Sequence, residues 1–263
     1  MNPLDGRVLV TGAAGGLGQA IAKALAGRAR PLVLSARNAD QLAAAANDLA
    51  AEVVAYDLED RSGLPGFIDA VGAVDVAVLN AALPASGPLL EYDVEQIDRA
   101  LEVNLRAQIV TARLLLEGMV ERRRGHIVFI SSLAGKAASP GSTLYSATKF
   151  GLRGAALSMR QDLASTGVGV SVICPGFVSD AGMFADSGAR VPKYVGTVTP
   201  EQVAAATVTA IERNRAEIDV APIGLKLSAA VAQIAPQLAA RAQAASGGHK
   251  LAGQMSKSQQ SKR

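Results

Sequence analysis

Residues 125–149, GHIVFISSLAGKAASPGSTLYSATK, read as a buried strand that delivers a serine pair, then a loop of small residues, then a helix that opens with Tyr145 and Lys149. The run from His126 to Ile130 is β-branched and aromatic, as a central parallel strand requires, and Ser131 and Ser132 stand at its carboxyl end. Open α/β sheets place their ligands there. Tyr145 and Lys149, four residues apart, share one helix face, so an ammonium can lie beside the phenol and favour its ionised form. Such a phenol can move a proton near neutral pH. Ser132 can donate a hydrogen bond to the same substrate oxygen and stabilise charge that develops on it.

Upstream, the chain shows another strand leading into a helix. Arg7 to Val10 is a short apolar strand, TGAAGGLG follows at residues 11–18, and Leu17, Ile21, Ala24 and Leu25 mark the inward face of the next helix. Thr11, Gly12, Gly16, Leu17 and Gly18 therefore span a turn that offers free N–H groups and a positive helix end to an anion. Its glycines let a pyrophosphate approach the backbone. No Gly-Lys-Ser/Thr follows, which argues against a nucleoside-triphosphate P-loop. The second strand, Pro31 to Ser35, ends in Ser35-Ala36-Arg37. An acid at this point would hold a ribose 2′-hydroxyl, whereas a guanidinium receives a 2′-phosphate, so Arg37 favours NADP(H) over NAD(H) as cofactor.

Glu52 to Tyr56, closed by Asp57-Leu58, and Val74 to Leu79, closed by Asn80-Ala81-Ala82, are the third and fourth strands. Val168 to Ile173, before Pro175-Gly176, is the sixth, and Ile218 to Val220 is an edge strand. Their alternation with helices implies right-handed crossovers and hence a Rossmann-type α/β fold, a doubly wound parallel sheet of about seven strands with helices on both faces. Helix-start signals occur at Asn38 with Gln41, at Asp93 with Gln96, and at Thr199-Pro200 with Gln202. The helix opened by Asp93 is expected to run through Asn104 to Met119, with Asn104 buried between Val103 and Leu105 and hydrogen-bonded. Residues 177–198 read as a long loop carrying Phe177, Met183, Phe184, Val191 and Tyr194.

At 263 residues the chain fits one large α/β domain. It is 49% hydrophobic but only 3% aromatic, so the core is built from Ala, Val, Leu and Ile. The formal charge is +3, yet Lys250, Lys257, Lys262 and Arg263 lie after Ser246 with no acid among them, which leaves the body near neutral. A basic pI of 9.1 therefore describes a solvated tail without aromatic residues and not a nucleic-acid surface. Cys174, in an apolar run, reads as a core thiol, and with only His126 and His249 beside it no metal site is expected. The N-terminus lacks the regions of a signal peptide, and no apolar run approaches the ~20 residues of a membrane span, so a cytoplasmic protein is expected.

Residues from Arg7 to about Val220 resemble the single-domain short-chain dehydrogenase/reductases. Thr11-Gly12, Gly16, Leu17 and Gly18 look like that family's cofactor turn, Asp57-Leu58 like its adenine contact, and Asn80-Ala81 like its strand-four motif. Pro175-Gly176 with Val178 resembles its nicotinamide-side turn. Asn104, Ser132, Tyr145 and Lys149 resemble its catalytic set. By that resemblance Tyr145 is the general acid/base, Lys149 lowers its pKa and holds the nicotinamide ribose, Ser132 polarises a carbonyl, and Asn104 positions a water in a proton relay. Ala82 departs from the family's usual Gly, and Asp180 stands near where a Thr often touches the carboxamide.

These readings predict an NADP(H)-dependent carbonyl reductase or alcohol dehydrogenase; the alternative is a non-catalytic NADP(H)-binding sensor or scaffold of the same fold. Residues 1–245 are expected to form the catalytic domain. Within it, 222–245 is an apolar helical segment near the substrate cleft, broken at Pro236, and it suggests a bulky apolar carbonyl or alcohol substrate. A weak peripheral contact of this segment with a membrane is the lesser alternative. Residues 246–263 are expected to be a disordered basic tail whose removal changes neither stability nor substrate affinity. The helices bearing Asn104 and Tyr145 could pair with a second copy to make a homodimer, and a tetramer is in doubt for want of a Gly-rich ending.

Overall fold

The computed structural model describes residues 3–29, 31–188, 191, 195–245 and 248–259. The sheet is wound from β1 (Val8–Thr11), a strand of three apolar residues and a threonine that is buried along its whole length. It pairs in parallel with β2 (Leu32–Ser35) on one side and β4 (Val76–Leu79) on the other. With β3 (Glu52–Val53), β5 (Gly125–Ile130), β6 (Val168–Pro175) and β7 (Glu217–Val220), the sheet has seven parallel strands in the order β3-β2-β1-β4-β5-β6-β7. The chain winds outward from β1 in one direction and then restarts at β4 in the other. The exits of β1 and β4 therefore diverge, and a crevice opens between them.

One face of the sheet packs against α1 (Gly16–Ala26) and α7 (Pro200–Glu212), where Ile21, Leu25, Val203 and Ile211 meet Val10, Leu34 and Val128. The other face is covered by α3 (Leu64–Val71), α5 (Ala107–Glu121) and α6 (Thr143–Asp162), with Phe67, Met119 and Leu152 against Leu79, Ile127 and Phe129. Cys174 is buried in this second core as a free thiol. Helix α2 (Ala39–Asn47) starts at Asn38, whose side chain accepts from Gln41 N at 2.9 Å. Both expected capping boxes form, at Asp93 before α4 (Val94–Leu101) and at Thr199 before α7.

The structure corrects several boundaries. Strand β3 is confined to two exposed edge residues, although Val54 N and Tyr56 N beyond it still reach Leu34 O at 3.0 Å and Ala36 O at 3.1 Å, and Tyr56 stacks on Phe67 with ring centroids 4.6 Å apart. β6 extends through Pro175, since Gly176 N still reaches Val220 O at 2.9 Å. The single helix expected from Asp93 to Met119 is two helices joined by a π-helical turn at Glu102–Arg106. The C-terminal region forms α8 (Ile223–Ile234), α9 (Pro236–Ala245) and α10 (Gly248–Gln259), with the break before Pro236 that its sequence predicts. The tail expected to be disordered is thus helical over α10. Its small residues let it lie close to the body: Ser256 Oγ donates to Glu91 Oε2 at 2.7 Å, and a Cβ placed on Gly141 would come within 2.9 Å of Ala252 Cβ. Tyr194 and residues 246–247 and 260–263 lie outside the described residues. Among the described residues no helix is long and apolar enough to cross a membrane, and no cluster of His, Cys, Asp or Glu could hold a metal ion.

Candidate active site

The floor of the crevice is a glycine turn clamped to the neighbouring strand. Gly12 has φ +64°, and a Cβ there would sit 2.7 Å from Ala81 Cα; on Gly18 it would sit 2.2 Å from Gly12 O. Only glycine meets both demands. Thr11 Oγ1 accepts from Asn80 N at 3.1 Å and from Ala81 N at 3.3 Å, while Asn80 Nδ2 donates to Thr11 O at 3.1 Å and Gly12 O at 3.3 Å. The exits of β1 and β4 are thereby held in one piece, with the N-terminus of α1 opening onto it. A backbone free of side chains at a helix start suits the two phosphates of a dinucleotide, so these residues fit the group that the sequence suggests.

Above this floor lies a cleft of about 320 Å³. Arg37, Asp57 and Leu58 line one end, Gly12, Gly16, Leu17, Gly18, Asn80 and Ala81 the middle, and Ser132, Tyr145, Lys149, Pro175, Gly176 and Val178 the other end. Every named cofactor or catalytic residue is gathered there except Asn104, whereas no residue of the 222–245 segment, expected near the substrate cleft, is among its lining. The Asn104 side chain is fully buried and makes a two-way clasp on one residue: Oδ1 accepts from Leu83 N at 2.6 Å and Nδ2 donates to Leu83 O at 2.9 Å. Its neighbour Val103 lines the cleft.

At the end beside the β5 exit, Lys149 is 2% exposed; its Nζ donates to Ile130 O at 3.0 Å and lies 5.6 Å from the Tyr145 ring centroid. Burial brings its pKa down to about 8. Burial raises the Tyr145 phenol above its usual value, and a hydrogen bond with Ser132 pulls the other way without cancelling it. This differs from the expectation that the lysine depresses the tyrosine. The ammonium here is turned to the Ile130 carbonyl, and burial of the phenol decides the direction of its shift. A phenol with a raised pKa holds its proton at neutral pH. Ser132 Oγ also reaches Pro175 O at 3.3 Å and accepts from Ala134 N at 3.1 Å, which fixes the hydroxyl at the β5 exit. Its neighbour Ser131 has another task, donating to Lys149 O at 2.9 Å and tying β5 to α6.

Some cleft residues were not read from the sequence. Glu59 joins Arg37 at the outer end and Leu83 adds apolar surface, while Met183 and Phe184 of the expected 177–198 loop line the cleft as well. Phe184 stacks at a tilt on Phe177, with centroids 4.9 Å apart, so two of the loop's expected aromatics support each other. The π-helical turn also left no spacing signal in the sequence, since it changes the hydrogen-bond pattern of a helical stretch and not its composition. Asp180 is exposed, adopts a left-handed backbone with φ +63°, and does not line the cleft.

The chain matches the family described as short chain dehydrogenase over residues 7–192. It is 39% identical to the ketoacyl reductase HetN of Nostoc sp. over 90% of this chain and 88% of that protein. It is 31% identical to an uncharacterized oxidoreductase of Staphylococcus aureus strain N315, over 83% of this chain and 98% of the other. Among solved structures, one provisionally assigned as an NAD(P)-dependent gluconate 5-dehydrogenase from Beutenbergia cavernae, with NADP bound at low occupancy, superposes with a TM-score of 0.74 at 27% identity. That match covers 83% of this chain and 97% of the other.

Proposed function

The chain belongs to the short chain dehydrogenase family of oxidoreductases, and from that premise we propose that it is an NADP(H)-dependent reductase of a bulky apolar carbonyl, with Tyr145 as the proton donor. The observation that carries this reading is the trio of Ser132, Tyr145 and Lys149 gathered at the exit of β5, with Lys149 buried, its Nζ 5.6 Å from the centroid of the phenol ring, and Ser132 and Tyr145 half-buried beside it. When bound, the nicotinamide supplies the hydride. Ser132 and Tyr145 hold the carbonyl oxygen between two hydroxyl donors, and as negative charge develops on it the phenol proton passes across. Lys149, charged at neutral pH, then stands beside the phenolate that remains. Asn104 acts at a distance by fixing Leu83 on the cleft wall.

The apolar substrate class is supported by Leu83, Met183 and Phe184, which line the cleft. The similarity to a protein named as a ketoacyl reductase points the same way, toward a 3-oxoacyl group. NADP(H) is supported by Arg37 at the outer end, and by the absence of any carboxylate directly after β2. A homodimer through α5 and α6 is consistent with Phe150, which is 41% exposed on α6. The test is cofactor titration with a panel of 3-oxoacyl thioesters, apolar ketones and sugars. We expect NADPH to bind at least about tenfold more tightly than NADH, since about 1.4 kcal/mol is a modest return for a guanidinium–phosphate pair, and the thioesters or apolar ketones to be reduced fastest. Equal affinity for the two cofactors, or reduction of sugars only, contradicts the reading.

A further inference from the structure

At the outer end of the cleft Arg37 does not stand alone. Its Nη1 lies 3.4 Å from Glu59 Oε1, and the same oxygen accepts from Arg99 Nε at 2.6 Å. Glu59 is held in this place by its own backbone, whose N–H donates to Asp57 Oδ1 at 3.0 Å. Arg37 and Glu59 line the cleft, whereas Arg99 reaches the carboxylate from α4. One carboxylate thus sits between two guanidiniums, all three partly exposed, with side-chain accessibilities of 57% for Arg37, 33% for Glu59 and 34% for Arg99.

The two cleft-lining charges make opposite demands on a cofactor. A guanidinium attracts a 2′-phosphate; a carboxylate repels it and accepts from a 2′-hydroxyl instead. We propose that Glu59 is a specificity-determining residue that opposes the adenosine 2′-phosphate and competes for Arg37, and that Arg99 is the positioning residue that draws its charge away. The site so built takes NADPH by preference without excluding NADH. This rests on the NADP(H) reading of Arg37 given above. Its new content is that the preference is set by a three-residue chain, one member of which does not line the cleft.

The test is a double-mutant cycle on cofactor dissociation constants, measured by calorimetry at low and high salt without substrate. Because the groups are half-exposed, each effect is modest. Glu59→Gln should tighten NADPH by about threefold to fivefold, and Arg99→Gln should weaken it by a similar factor, with NADH changed by less than about twofold in both. In the double variant the Arg99 effect should vanish, and high salt should flatten all differences. Unchanged NADH affinity shows that each variant has kept its site. If Arg99→Gln weakens NADPH equally in the Glu59→Gln background, or if Glu59→Gln itself weakens NADPH, the proposal is overturned. Arg37→Gln is run beside them. Loss of NADPH affinity there with a flat Glu59–Arg99 cycle overturns only this inference, whereas no loss removes the NADP(H) reading of Arg37 and the inference with it.

Discussion

Lys149 and His126 show how burial tunes single groups in this fold. Both are 2% exposed, and burial lowers the pKa of each, to about 8 for the lysine and about 4 for the histidine, where Arg160 adds a smaller push in the same direction. The lysine keeps its proton at neutral pH and the histidine does not. Ser171 Oγ donates to Arg215 O at 2.5 Å, so the 2.8 Å contact from His126 must have Nε2–H as donor, and the ring is neutral with its proton on that nitrogen. In the unfolded chain His126 binds a proton at pH 6.5, in the fold only near pH 4. Stability is therefore complete above pH 6.5 and falls as pH drops toward 4, by about 2 kcal/mol between pH 7 and 5 for this group. Urea unfolding at the two pH values checks it: the wild type should lose that increment, and His126→Gln, which keeps a donor but cannot titrate in this range, should lose about 2 kcal/mol less over the same interval. An equal loss in both would remove His126 as the cause. The pairing of Tyr145 with Lys149 was legible from four-residue spacing alone, but the direction of the phenol's shift was not, since it depends on how much water the fold removes from both groups.

Among the elements, the joint between α4 and α5 does the least obvious work. The π-helical turn at Glu102–Arg106 inserts Asn104 toward Leu83, and Gln108, one turn later, donates to Ala81 O. The loop after β4 is thus held by two amides, one from the π-helical turn and one from α5, while its other side is clamped by Thr11. Sequence reading placed Asn104 in a buried, hydrogen-bonded position, but the turn that aims it arises from tertiary contacts, and no local signal marks it. Asn104→Ala leaves the N–H and C=O of Leu83 without their partners. It should destabilise the protein by about 1–3 kcal/mol and slow turnover more than it weakens NADPH binding. Thermal unfolding and steady-state kinetics on one preparation separate the two effects; a variant of wild-type stability would show that the clasp is dispensable. Glycine spacing, by contrast, was readable because the demand is local: Gly12 and Gly18 are pressed against backbone within their own turn and the adjacent strand exit.

For the molecule as a whole, the doubly wound parallel sheet and the placing of ligand groups at its carboxyl edge followed from alternating apolar strands and helices, because a parallel sheet admits few windings. Contacts between distant segments did not follow. Glu59 meets Arg99 across forty positions of sequence, and α10 docks near Glu91 and Gly141 from the far end of the chain. Helix α10 thus braces the loop that precedes Tyr145 on α6, while on α8 and α9 Leu227, Ile234 and Leu238 face solvent, with exposures of 61%, 87% and 60%. Truncation after Ser246, first expected to be silent, should now raise KM for apolar substrates by about twofold to tenfold with a smaller change in kcat, as the brace is worth on the order of one or two hydrogen bonds. Unchanged kinetics would return the tail to an expendable role. The central claim, that this cleft carries out carbonyl reduction and does not merely hold a cofactor, is tested most directly by one comparison: the rate at which NADPH absorbance is lost in a single turnover with the best 3-oxoacyl thioester or apolar ketone, in wild type and in Tyr145→Phe, with NADPH affinity measured alongside. The account predicts a fall of about 10²–10⁴-fold in rate with affinity nearly unchanged; equal rates in the two proteins, or NADPH bound by the wild type and never consumed, would contradict it.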